Sequence, residues 1–148
     1  MSIVGLGGIS MDTNDRYYFI QQLNYVTSIN LYKDNEKLEI SKEDSKFALI
    51  IDNFRKTLEG YREMPAFGVS LNDETCEARK DGVWLEFCFY DVYTHNGMNY
   101  EKLLINIQEN VSGFNIIRYY DDKYEGRCFY VDLDGKTLRT LFKVLNEN

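Results

Sequence analysis

From Ala66 to Leu133 the chain repeats one pattern: short runs of alternating apolar and polar residues, each closed by turn formers. The runs are Ala66–Leu71, Val83–Tyr93, Lys102–Gln108, Phe114–Tyr120 and Arg127–Leu133, punctuated by Lys80-Asp81-Gly82, His95-Asn96-Gly97 and Ser112-Gly113. A period of two is the signature of strands with one buried face, and such short connections join antiparallel neighbours. An earlier pair, Thr27–Leu31 and Leu38–Ile40 about the turn Lys33-Asp34-Asn35-Glu36, predicts a further hairpin.

Two helical stripes flank the strand block. Ser41 and Asp44 resemble a capping box ahead of Phe47, Ile50, Ile51, Phe54 and Leu58, predicting a helix over Glu43–Glu59 that Gly60 stops. Asp134 is the expected N-cap of a last helix over Gly135–Leu145, with Leu138, Leu141, Phe142 and Leu145 as its apolar stripe. A shorter helix is expected to start at Thr13 or Asn14 and to carry Phe19, Leu23 and Val26. Strands gathered between helices, without strand–helix alternation, define an α+β domain: a curved antiparallel sheet meander of about five to seven strands packed against two amphipathic helices.

The length of 148 residues suits one domain, and nothing in residues 12–148 marks a boundary. Residues 1–11, with Gly5, Gly7 and Gly8, are expected to be a flexible segment. That segment lacks the basic stretch and small-residue exit of a signal peptide, no apolar run reaches membrane-spanning length, and Cys76, Cys88 and Cys128 are odd in number. The expectation is a cytoplasmic protein with reduced thiols and no membrane. A net charge of −7 repels phosphate backbones, so nucleic acid is not expected as a partner and a basic protein is. The wealth of Asn, Lys, Ile and Tyr fits an AT-rich bacterial or phage genome.

Strand parity assigns faces. Phe67, Val69, Leu71, Val83, Leu85, Phe87, Phe89, Leu103, Ile105 and Ile107 fall on the core side, and a hairpin centred between Asp122 and Lys123 sets Phe114 opposite Val131, Ile116 opposite Phe129 and Arg118 opposite Arg127. The reverse face is unusually apolar, with Trp84, Cys88, Tyr90, Val92, Leu104, Ile117, Tyr119, Cys128 and Tyr130. The first expectation is that the N-terminal helix and hairpin cover it. Otherwise Trp84, Tyr90, Tyr119 and Tyr130 would offer a surface for a ligand or a homodimer.

Candidate chemistry is sparse. Arg118 and Arg127 together could clamp a carboxylate or phosphate, with Tyr119, Tyr130, Trp84 and Glu86 lining the site, although an acid of this chain is the expected partner of the two arginines. Glu86 is expected to form a salt bridge with Lys102 or an N-terminal residue. His95, the one histidine, reads as an exposed loop residue beside Asn96-Gly97, and no strong metal ligand set accompanies it. Asp132-x-Asp134-Gly135 lacks the remaining acids of a calcium loop, and Gly135-Lys136-Thr137 lacks the first glycine of a phosphate loop. No cofactor is implied. The resulting expectation is a small acidic, non-enzymatic protein-interaction module, and the alternative is a domain or modest enzyme that binds a small anionic ligand near Arg118 and Arg127.

Overall fold

The computed structural model describes residues 17–65 and 68–147. Helix α1 (Tyr18–Gln22) and a 3-10 turn (Leu23–Tyr25) lead into β1 (Val26–Lys33) and β2 (Glu36–Ser41), followed by α2 (Ser45–Leu58), β3 (Arg62–Met64), β4 (Val69–Ser70) and α3 (Asn72–Ala78). The long hairpin β5 (Val83–His95) and β6 (Met98–Asn106) precedes β7 (Gly113–Tyr119), β8 (Gly126–Arg127), β9 (Phe129–Asp132) and α4 (Arg139–Asn146). A seven-stranded antiparallel sheet runs β2-β1-β5-β6-β7-β9-β3, and β4 with β8 forms a second, two-stranded one. The expected start of the first helix at Thr13 or Asn14, the flexible segment 1–11 and Phe67 lie outside the described residues.

Local chemistry explains the turns. Asp34 and Asn35 take φ of +49° and +75°, and Asn96 and Gly97 take +52° and +75°, the left-handed pairs that close two-residue hairpins. Helix α2 is capped by Asp44, whose Oδ1 accepts from the Lys46 amide at 2.9 Å, and Gly60 follows its end at φ +74°. Asp134 is not a cap. It and Gly135 both take positive φ, so they turn the chain, and α4 starts at Arg139 after the buried Leu138.

One apolar layer lies between the sheet and three helices. Ile50, Phe54 and Leu58 of α2, and Leu141 and Leu145 of α4, pack with Leu85, Phe87, Leu103, Ile105, Ile116 and Val131. The register sets Phe114 against Val131 and Ile116 against Phe129, as parity predicts. Helix α1 joins this same layer through Phe19 and Leu23, and β1–β2 extends the sheet edge beside β5. The N-terminal elements therefore do not cover the reverse face. The reason lies in β1: Ile29 and Leu31 belong to the core side, so the hairpin must lie in the sheet rather than over it.

Of the expected strand Ala66–Leu71, the described residues place Val69–Ser70 in a strand, and Val69 and Leu71 are 66% and 50% exposed instead of in the core. Helix α3 follows where only a turn is expected. In β5 four residues, Phe89 to Val92, stand against Glu101 alone between the Cys88–Lys102 and Tyr93–Tyr100 pairs. That bulge leaves Tyr90 90% exposed.

Phe54 touches Phe87 and Phe114 at ring distances of 5.1 and 6.1 Å. Phe54→Ala is expected to lower unfolding free energy by about 3–5 kcal/mol in urea titrations, and Leu49→Ala, on the exposed side of the same helix, by under about 0.5 kcal/mol.

Candidate functional site

The reverse face is organised around a carboxylate. Glu86 lies at the middle of β5 between Asn30 of β1 and Leu104 of β6, and is 1% exposed. An ionised group so buried costs several kcal/mol unless donors surround it. Three do. Asn30 Nδ2 donates to Oε1 at 2.8 Å, the Tyr32 hydroxyl donates to the same oxygen at 3.1 Å, and the Tyr124 hydroxyl makes a short bond to Oε2. Lys102, the expected partner, instead lies over the ring of Tyr119 at 4.8 Å, and Tyr119 meets Tyr124 edge-on at 4.9 Å.

Arg79, at the end of α3, completes the cluster. Its guanidinium sits 4.2 Å from the Tyr32 ring centre, and Nη1 donates to the Tyr124 hydroxyl at 2.8 Å. Burial alone would lower its pKa, but Tyr124, Tyr32 and Glu86 more than offset this and the net direction is upward. The β7–β8 turn that carries Tyr124 is tied to α3 on its other side. The Tyr124 amide donates to Asn72 Oδ1 at 2.9 Å, and Ser70 Oγ donates to the Tyr124 carbonyl at 2.9 Å. Trp84 fixes the loop after α3 by donating from Nε1 to the Asp81 carbonyl at 2.8 Å. Helix and turn thus form the cover that the N-terminal elements do not supply.

Burial, reinforced by the Glu86 charge, pushes the Tyr32 and Tyr124 phenols far above their ordinary range. The same two causes raise the Cys88 thiol, and burial raises Cys128. Neutral phenols and a carboxylate already supplied with three donors make a clamp between layers rather than an open acid–base centre.

The other residues named from sequence go elsewhere. Trp84 and Tyr130 share a pocket of about 350 Å³ with Ile117, Asn106, Gln108 and Gly113, where the Tyr130 hydroxyl lies against the bare Gly113 Cα. Arg118 is held by carbonyls, donating from Nε to Arg127 O at 2.7 Å and from Nη1 to Asn99 O at 2.8 Å, and burial together with the Arg127 charge lowers its pKa. Gly126, at φ +109°, leaves room for its Nη2. The Arg127 side chain is exposed and makes no hydrogen bond or ion pair among the described residues. The two arginines are neighbours through the Arg127 carbonyl, near enough for one charge to act on the other. Nor do Trp84, Tyr90, Tyr119 and Tyr130 form one open aromatic face, since Trp84 is buried and Lys102 covers Tyr119.

His95 is the clearest correction. It is 6% exposed, stacked on Tyr18 at 3.7 Å and 5°, and its Nε2 lies 2.8 Å from Glu63 Oε2. β5 runs two residues beyond the expected Tyr93, which carries His95 under α1. Sequence reasoning also missed Tyr32, Arg79 and Tyr124. Only Tyr32 left a signal, sharing strand parity with Asn30 against Ile29 and Leu31.

The outer surface of the cover is acidic. Asp73, Glu74 and Glu77 on α3 and Asp121, Asp122 and Glu125 in the turn are exposed, and a hollow of about 400 Å³ lies among Leu71, Asn72, Asp73, Glu74, Lys123 and Glu125. Among the described residues no helix is long and apolar enough to cross a membrane. No family model, curated protein or solved structure matches the chain.

Tyr124→Phe removes one donor to Glu86 and the acceptor for Arg79, and is expected to cost about 1.5–3 kcal/mol in chemical denaturation. Because the phenols of Tyr32, Tyr100 and Tyr124 titrate above the ordinary 10.0 when folded, the unfolded chain loses protons first as pH rises. Stability is therefore intact below pH 10.0 and falls above it, and the fall is expected to be shallower in Tyr124→Phe.

Proposed function

We propose that this protein is a cytoplasmic, non-enzymatic interaction module whose partner is a basic protein, docked on α3 and the adjoining β7–β8 turn. The observation that carries the reading is the hollow there, where Asp73, Glu74 and Glu125, the last paired with Lys123, line the same recess as the half-exposed Leu71. Carboxylates around an apolar contact attract lysine and arginine side chains at long range and give them a place to bury their stems. The net charge of −7 adds a favourable field for the same partner.

The cover is also held in a way that suits docking. Its acids face solvent while Arg79, Tyr124 and Ser70 bind inward, so the charged surface is presented on a fixed element. The buried Glu86, already bonded to three donors, supports a binding role over an acid–base role.

The triple variant Asp73→Lys/Glu74→Lys/Glu125→Lys changes only exposed side chains and is expected to fold. In affinity capture from the source cell at low salt, the intact protein should retain a specific basic protein, and the variant should bind that same protein at least about 100-fold more weakly. Retention of no basic protein, or equal retention by the variant, would contradict the reading.

A further inference from the structure

A second arrangement lies where the chain leaves the acidic cover, at Arg127, two residues after Glu125. A hollow of about 200 Å³ opens among Glu63, Met64, Pro65, Asn96, Met98, Arg127 and Phe129. One end is anionic and partly dehydrated: the Glu63 side chain is 11% exposed. Its carboxylate accepts from His95 Nε2 at 2.8 Å and from Asn96 Nδ2 at 2.8 Å. An ionised carboxylate only accepts, so His95 must donate from Nε2, and Tyr18 stacked on the ring fixes its plane. Two donors leave lone-pair sites of Glu63 unused. The other end is the Arg127 guanidinium, which has no partner among the described residues although this chain is rich in acids.

The spacing between the ends follows from the strands. Glu63 pairs with Val131 across β3 and β9, and Arg127 precedes Val131 by four residues, on the order of 13 Å of extended chain. Both residues line the hollow, and Met98 and Phe129 supply apolar lining. A volume of about 200 Å³ is below the roughly 300–1,000 Å³ of pockets for drug-sized ligands, so the occupant is small.

We propose that this hollow binds a small dipolar amino acid, its carboxylate on Arg127, its ammonium on Glu63 and its carbon chain along Met98 and Phe129. Glu63 keeps acceptor positions beyond those taken by His95 and Asn96, Arg127 keeps its donors, and a ligand carrying both an ammonium and a carboxylate answers both. Asn96 and His95 act as positioning residues that hold the Glu63 carboxylate in place.

Calorimetric titration with glycine, 4-aminobutyrate and 6-aminohexanoate tests the proposal, with butyrate and butylamine as single-charge controls. At least one dipolar compound should saturate the protein, each control should bind at least about 10-fold more weakly, and Arg127→Ala should weaken the dipolar compound by about 10-fold or more. Arg127→Ala leaves in place the carbonyl that holds Arg118, so the variant is expected to fold. The proposal fails if no dipolar compound saturates, if butyrate or butylamine binds as tightly, or if Arg127→Ala binds like the unaltered protein. The Asp73/Glu74/Glu125 surface lies elsewhere, so any of these outcomes leaves the docking reading standing.

Discussion

A carboxylate buried on the solvent side of a sheet dictates how the second half of this molecule is assembled. Glu86 needs donors, and β1 supplies Asn30 and Tyr32 from the neighbouring strand. The third, Tyr124, comes from a turn 38 residues further along the chain, and its hydroxyl brings Arg79 with it. Satisfying one charge thus closes α3 and the β7–β8 turn over Trp84 and Leu104. The apolar residues beneath would supply hydrophobic stabilisation to any cover, whereas the hydrogen bonds select this one.

The same assembly sets the path by which the chain leaves the cover. Pairing of β8 with β4, and of Arg118 with the carbonyls of Asn99 and Arg127, fixes the chain where it passes from the cover to β9. The cover exposes more carboxylates than cations, with Lys80 beside Glu77 and Lys123 beside Glu125. Two residues beyond Glu125, the exposed Arg127 lines the hollow that Glu63 and Asn96 also line.

Much of the fold was legible because period-two alternation is a direct consequence of one-sided burial. It located β5, β6, β7 and β9, their core face and the pairing of Phe114 with Val131. Helix α3 was not legible: Asn72–Ala78 carries no apolar stripe, and Leu71 before it points to solvent. Asp134 misled because a residue that caps helices also tolerates positive φ, and here the turn needs the latter. His95 misled for a related reason, since Asn96-Gly97 closes the hairpin directly after it while α1 covers its ring. Glu86 could be singled out from strand parity, but Tyr124 and Arg79 lie in a turn and at a helix end, where spacing in the chain says nothing about proximity in space.

Hydrogen bonds to Glu86 hold the cover. Native-state hydrogen exchange on Glu86→Gln tests this most directly, since the amide cannot accept from three donors as the carboxylate does. Amides of residues 72–79 and 121–125 are expected to exchange about 10- to 100-fold faster while those of β5 and β6 stay slow. Unchanged exchange in the cover, or an equal acceleration throughout the sheet, would contradict it.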